Sequence, residues 1–191
     1  GAMATAECFD PAVGQWELLP PMSSPRCGVS SDHVDIFAAF PLRGALYVYG
    51  GFRDNDWLNS LECYKPAESR WEAVPPMLVD RHSAGAGVLR GCLYVCAGMR
   101  LGDEGMQPLD SAERFEPSTG TWETLPAMST ERYSAAVATA GGCIYVCGGI
   151  ARNGWLSCVE RFNPEARHWE TMPSMVESLL DPMAITMSSV A

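Results

Sequence analysis

Hydrophobic residues along this chain come in short bursts, never in long runs and never at helical spacing. The clearest burst is "CIYVCGG", residues 143–149, and it has close relatives in "CLYVCAG" from Cys92 and "ALYVYGG" from Ala45. Around the third copy the pattern predicts four strands: "SAAVATA" (134–140), "CIYVCG" (143–148), "SCVERFN" (157–163) and "HWETMP" (168–173). Each is too short for a helix, is rich in β-forming residues, and is bounded by Gly, Pro, Asn or Asp. They are called strands A to D here, in chain order. The glycine pair after strand B supplies backbone freedom that a side chain would forbid. Asn163-Pro164 opens the turn from C to D. No amphipathic helix is predicted anywhere.

The unit repeats. Trp16, Trp71, Trp122 and Trp169 stand at spacings of 55, 51 and 47, in "ECFDPAVGQWELLPPM", "ECYKPAESRWEAVPPM", "ERFEPSTGTWETLPAM" and "ERFNPEARHWETMPSM". The unequal spacings have local causes. Four extra residues within "RLGDEGMQP" turn 47 into 51, and eight more lie between Arg26 and Tyr47. Four-stranded units at a period near 50 residues describe the blades of an all-β propeller. The expected boundaries are a partial blade at 7–22, full blades at 23–77, 78–128 and 129–175, and a partial blade at 176–191, so that 4–191 is one propeller segment. Gly1-Ala2-Met3 looks like an expression scar and is set aside. Three full blades leave flat apolar faces and unpaired strand edges, so this length of chain is expected to associate or to sit in a larger domain.

The order of parts resembles that of kelch repeats: R-x-S before strand A, Tyr-Val-x-Gly-Gly after strand B, then "VERFNP", Trp and "PSM". "LNSLECYKP", "LDSAERFEP" and "LSCVERFNP" look most like the BTB-kelch subfamily. The resemblance covers almost the whole chain. Its departures are Ala97 in place of a first glycine and an irregular join at 27–40. The resemblance implies a propeller of six four-stranded antiparallel blades in the parent protein, of which about half is present. It also implies a role in holding protein substrates for cullin-3 ubiquitin ligases, with a BTB domain, absent from this chain, holding the cullin. The alternative within the family is a cytoskeletal or actin-binding kelch scaffold.

Composition narrows the function. The formal net charge of −10 argues against nucleic acid, which is bound by neutralising phosphates with Lys and Arg, and against anionic membrane surfaces. No stretch approaches the ~18 unbroken apolar residues of a membrane-spanning helix. The eight cysteines mostly fall inside strand-like runs, as reduced and buried thiols do. The expected location is the cytoplasm, with the nucleus as the alternative. Cys92-x-x-x-Cys96 and Cys143-x-x-x-Cys147 have the look of metal ligands. Four residues along one strand separate them by ~13 Å, too far for two ligands of one zinc. Packing between blades is the better reading, and no metal or cofactor is expected. His33, His82 and His168 occupy non-equivalent positions, and no converging set of acids, bases and nucleophiles is present, so an enzyme is not expected.

The strand-D tryptophans recur with the fold and are assigned to blade packing. Trp57 and Trp155 differ: they stand at matching positions in the loops after strand B, where aromatics on a rigid scaffold are binding candidates. In an antiparallel blade the B–C loops and the D–A connections share one end. Arg26, Arg81 and Arg132 belong to D–A connections, and Arg53, Arg100 and Arg152 to B–C loops. Asp54, Asp56, Asp80, Asp103, Glu104 and Glu131 make the same face mixed in charge. By the family resemblance, the arginine at the start of strand A contacts acidic substrate motifs. This assigns a partner carboxylate to Arg81 and Arg132, less surely to Arg26, with Ser83 and Ser134 as polar partners two residues on. The bland reading of the face is a solvated rim of local ion pairs.

Overall fold

The structure is a computed structural model, and it describes residues 2–27, 38–53, 56–103 and 105–178. His33, Asp54, Glu104, most of the irregular join and residues 179–191 of the last partial blade lie outside the described residues. The chain divides into two compact units, Gly1–Pro76 and Met77–Ala191.

In the first unit, β1 (Glu7–Asp10) and β2 (Gln15–Leu18) form an antiparallel hairpin that supplies strands C and D of a partial blade. A full blade follows. It contains β3 (Ala38–Leu42), β4 (Ala45–Tyr49), the short strands β5 (Phe52–Arg53) and β6 (Asp56–Trp57), then β7 (Leu61–Lys65) and β8 (Arg70–Val74). The main sheet runs β3-β4-β7-β8, and β5-β6 forms a two-stranded ribbon of its own. Pro41 is tolerated because β3 is an edge strand, where one side needs no ladder bond. A single 3-10 turn, Pro66–Glu68, joins strands C and D. Met3, set aside from the sequence, takes part in the fold. Its N–H donates to the Arg26 carbonyl and its own carbonyl accepts from the Arg26 N–H.

The second unit holds two full blades of the same plan. One contains β9 (Gly85–Leu89), β10 (Cys92–Cys96), the ribbon β11 (Met99–Gly102) and β12 (Gly105–Pro108), then β13 (Ala112–Glu116) and β14 (Thr121–Thr124). The other contains β15 (Ala136–Ala140), β16 (Cys143–Cys147), the ribbon β17 (Ile150–Ala151) and β18 (Gly154–Trp155), then β19 (Val159–Asn163) and β20 (His168–Met172). The sheet orders are β9-β10-β13-β14 and β15-β16-β19-β20, all antiparallel. The expected A-B-C-D order is therefore present three times. The addition is that each B–C loop is itself a ribbon.

Between the two blades of the second unit lies one continuous core. Cys92, Tyr94 and Cys96 of β10 share a buried cluster with Ile144 and Val146 of β16, Phe162 and Trp169. Every residue of β10 is buried, so it is covered on both faces, whereas β16 alternates between buried and half-buried. This gives Cys92 and Cys96 their packing role.

The recurring glycine pair is explained by a close approach. A methyl group on Gly149 would stand 2.6 Å from the carbonyl oxygen of Tyr133 and 3.0 Å from the Ala135 Cβ, at a φ of +92°. The matching Gly98 meets the His82 carbonyl in the same way. These contacts fasten the base of the ribbon to the D–A connection through the bridges Tyr133↔Ile150 and His82↔Met99. The first position of the pair needs only a left-handed backbone. Ala97 adopts it at φ +64°, so the departure from glycine is accommodated with local strain.

Candidate functional site

Three arginines at the starts of strands A are buried. Arg26, Arg81 and Arg132 are 3%, 1% and 0% exposed. Arg81 Nη2 lies 2.6 Å from Glu113 Oε1 and 3.0 Å from the Ser111 hydroxyl, while Nη1 donates to the carbonyls of Ala97 (2.7 Å) and Ser111 (2.9 Å). Arg132 repeats this with Glu160 (2.7 Å), Cys158 Sγ (3.1 Å) and the Gly148 carbonyl (3.0 Å). Arg26 does so with Glu62, Ser60 and the Gly50 carbonyl. The carboxylates are engaged further. Glu62 accepts from the N–H groups of Ser23 and Ser24, Glu113 from those of Leu78 and Val79, and Glu160 from that of Ser129.

Each brace therefore ties four parts of a blade together: the start of strand A, the end of strand B, strand C and the preceding D–A connection. A guanidinium suits this because its planar fork presents five donors at fixed angles. Buried charges of this kind persist only when paired and fully hydrogen-bonded.

This corrects the expectation of partner-facing arginines. The terminal nitrogens of Arg26, Arg81 and Arg132 are held by the protein's own carboxylates and carbonyls, and all three side chains are 0% exposed. Ser83 is buried as well. It and Ser134 adopt φ of +50° and +49°, and the Ser134 N–H donates to the Ser83 carbonyl at 2.9 Å. Their role here is to turn the chain into strand A and to link neighbouring blades. Reading the sequence missed Glu62, Glu113 and Glu160. The available signal was a glutamate recurring at the second position of strand C in each full blade, in "LECYK", "AERFE" and "VERFN".

The brace makes one pH dependence explicit. Burial alone would raise the Glu62 carboxyl, but hydrogen bonds from Ser23 and Arg26 outweigh it and hold its pKa below the ordinary value. A depressed carboxyl adds stability above the unfolded pKa of about 4.3, and that stability is lost as pH falls through the folded value. We expect the urea midpoint to drop between about pH 5 and pH 3, and Glu62→Gln to flatten part of that drop. An identical pH profile for the variant would remove Glu62 from the acid response.

Above the braces stand the ribbons. In the second unit, Arg100 and Leu101 on β11 and Met106 on β12 are exposed, with Leu101 directly opposite Met106. On β17–β18, Trp155 is 46% exposed, and Arg152 at the turn pairs with Glu131 at 2.9 Å while remaining largely in solvent. In the first unit, Trp57 stacks obliquely on Phe52 across its ribbon, 4.7 Å between ring centroids, and is half-buried beside Arg53. The structure thus separates the two arginine sets. The D–A set is internal in each unit, Arg53 is half-buried on its ribbon, and in the second unit Arg100, Leu101, Met106, Arg152 and Trp155 are exposed on the ribbons. Asp80 and Asp103 are also exposed there.

The sequence parts and the braced four-stranded blades agree with one family. A model of the Kelch motif matches residues 37–78, 80–129 and 131–176. The chain belongs to the kelch-repeat family. Among its curated relatives, the F-box/kelch-repeat protein At1g22040 of Arabidopsis thaliana is 36% identical over 104 residues, covering 54% of this chain and 20% of that protein. Kelch-like protein 23 of Pongo abelii is 28% identical over 119 residues, covering 62% and 19%. The chain thus spans about a fifth of the length of these relatives. The solved structure of YjhT superposes with a TM-score of 0.68 at 16% identity, covering 92% of this chain and 66% of that one, which supports the kelch-type propeller fold. Kelch repeats form protein-interaction modules, and this chain is one of them.

Proposed function

We infer that this kelch segment is the substrate-recognition part of a larger cullin-3 ubiquitin ligase adaptor, working in the cytoplasm and binding a protein partner through its ribbons. The observation behind this reading is the contrast between the sealed arginine braces and the exposed Arg100, Leu101, Met106, Arg152 and Trp155 just beyond them. A rigid base carrying exposed aromatic and guanidinium groups is the usual make-up of a protein-binding hot spot. The ribbon arginines suit an acidic group on the partner, and Leu101, Met106 and Trp155 suit an apolar one beside it. Kelch-like relatives support the adaptor role by family resemblance.

The test uses affinity capture followed by quantitative mass spectrometry. Proteins retained by the wild-type chain should fall at least ~10-fold with Trp155→Ala or Leu101→Asp, with the unfolding midpoint unchanged. Cullin-3 should be recovered with the full-length parent protein only. If both ribbon variants retain every partner, the ribbons are not the recognition surface. Co-sedimentation of the chain with actin filaments would replace the adaptor reading by the cytoskeletal one.

A further inference from the structure

The four-residue insertion within "RLGDEGMQP" has a structural product. The ribbons β5–β6 and β17–β18 are built from two residues a strand, whereas β11 and β12 have four each. The insertion therefore lengthens this ribbon by two residues on each side. Its register is Met99↔Pro108, Arg100↔Gln107, Leu101↔Met106 and Gly102↔Gly105. Residues directly opposite share a face, and so do alternate residues along a strand. Met99, Leu101, Met106 and Pro108 thus make one apolar face, and Arg100 and Gln107 belong to the other.

At its base the apolar face is core: Met99 is 6% exposed and Pro108 is buried. At its tip it is surface, with Leu101 72% and Met106 41% exposed. The tip belongs to the middle one of the three full blades, away from both ends of the sequence. Met106 also differs from the other described methionines of the second unit. Met77, Met99 and Met128 are buried, and Met172 and Met175 are half-buried. An unbranched thioether is a common element of protein-binding surfaces, and it is also the apolar side chain that a peroxide converts into a polar one.

We propose that Met106 is a redox-controlled modification site, at which oxidation to the sulfoxide releases the partner from the ribbon and reduction restores the contact. This rests on the ribbons being the recognition surface. The oxidant is hydrogen peroxide. The Met106 sulfur attacks one peroxide oxygen, the O–O bond breaks as the S–O bond forms, and the second oxygen leaves as water. Sulfur loses two electrons and the peroxide gains them. In the return step two thiols of a sulfoxide reductase supply electrons and protons, the oxygen leaves as water, and the thiols become a disulfide. The sulfoxide places a strong acceptor beside Leu101, where an apolar group of the partner would leave it without a donor. Met99, on the same face, is sealed from the oxidant, so the base of the ribbon keeps its packing.

The test treats the full chain with hydrogen peroxide, removes the excess with catalase, and reduces the cysteines with dithiothreitol. Peptide mapping by mass spectrometry should find sulfoxide at Met106 well before it appears at Met77, Met99 or Met128. Exposed Met3 should oxidise too and serves as the control. Proteins captured by the oxidised chain should fall about 10-fold, with the unfolding midpoint unmoved, and methionine sulfoxide reductases should restore them. Whatever Met106→Leu captures before peroxide it should capture afterwards, whereas Met3→Leu should respond to peroxide as wild type does. Oxidation of Met106 no faster than of the buried methionines would overturn the proposal, as would an equal peroxide response in Met106→Leu. Full capture by chain carrying Met106 sulfoxide, with capture lost in Leu101→Asp, would overturn it while leaving the ribbon reading intact. Full capture by Leu101→Asp and Trp155→Ala would instead remove the ribbon reading, and this proposal with it.

Discussion

Arg132→Ala is expected to destabilise the second unit by about 3–5 kcal/mol, a large part of the total stability of a domain this size. The substitution leaves Glu160 buried with its main charge partner gone, and deprives the carbonyls of Gly148 and Cys158 and the Cys158 thiol of a donor. The penalty comes mainly from the stranded carboxylate. Replacing both charges, as in Arg132→Met with Glu160→Leu, should therefore cost less than the sum of the single changes, and a double-mutant cycle in urea reads this directly. Lysine should recover little, since one ammonium cannot reach Gly148, Cys158 and Glu160 together as the fork does. An unchanged unfolding midpoint for Arg132→Ala, combined with loss of partner binding, would show that the guanidinium faces outward and would restore the sequence-based expectation.

Trp169→Ala should cost a similar amount, about 3–5 kcal/mol, by opening a cavity in the core between the blades of the second unit. The indole is buried against Phe162, 5.1 Å between ring centroids, and its N–H holds the Pro126 carbonyl. Trp16→Ala, the same change at the same place in the repeat, should shift the unfolding of dilute protein by no more than about 0.5 kcal/mol, because the ring lies on the surface. Chemical denaturation of both variants decides the matter. Equal losses at the two positions would mean that the tryptophan acts within its own hairpin and not between blades.

Much of the site's scaffold was legible from local pattern. The B–C loops begin where the glycine pair ends strand B, and Trp57, Trp155, Arg53, Arg100 and Arg152 were placed in those loops from position alone; that the loops are ribbons came from the structure. The first full blade was harder. Its strand A, Ala38–Leu42, follows the longest insertion, which obscures the repeat spacing there. The direction of Arg81 and Arg132 was not legible. R-x-S at the start of a strand is compatible with an arginine reaching outward or folding inward, and both fit the same local backbone.

The sequence by itself determined the repeat, the four strands of each blade, the need for a bare glycine where strand B meets the ribbon, and the family. All of these follow from residues close together in the chain, whose alternation and turn chemistry act over a few bonds. Only the tertiary structure decided which charges are internal and which tryptophans are covered. Arg81 meets Glu113 across 32 residues, and Trp169 meets Pro126 across 43. An identical motif is therefore core in one blade and surface in another, because burial depends on a neighbour that the local sequence does not contain.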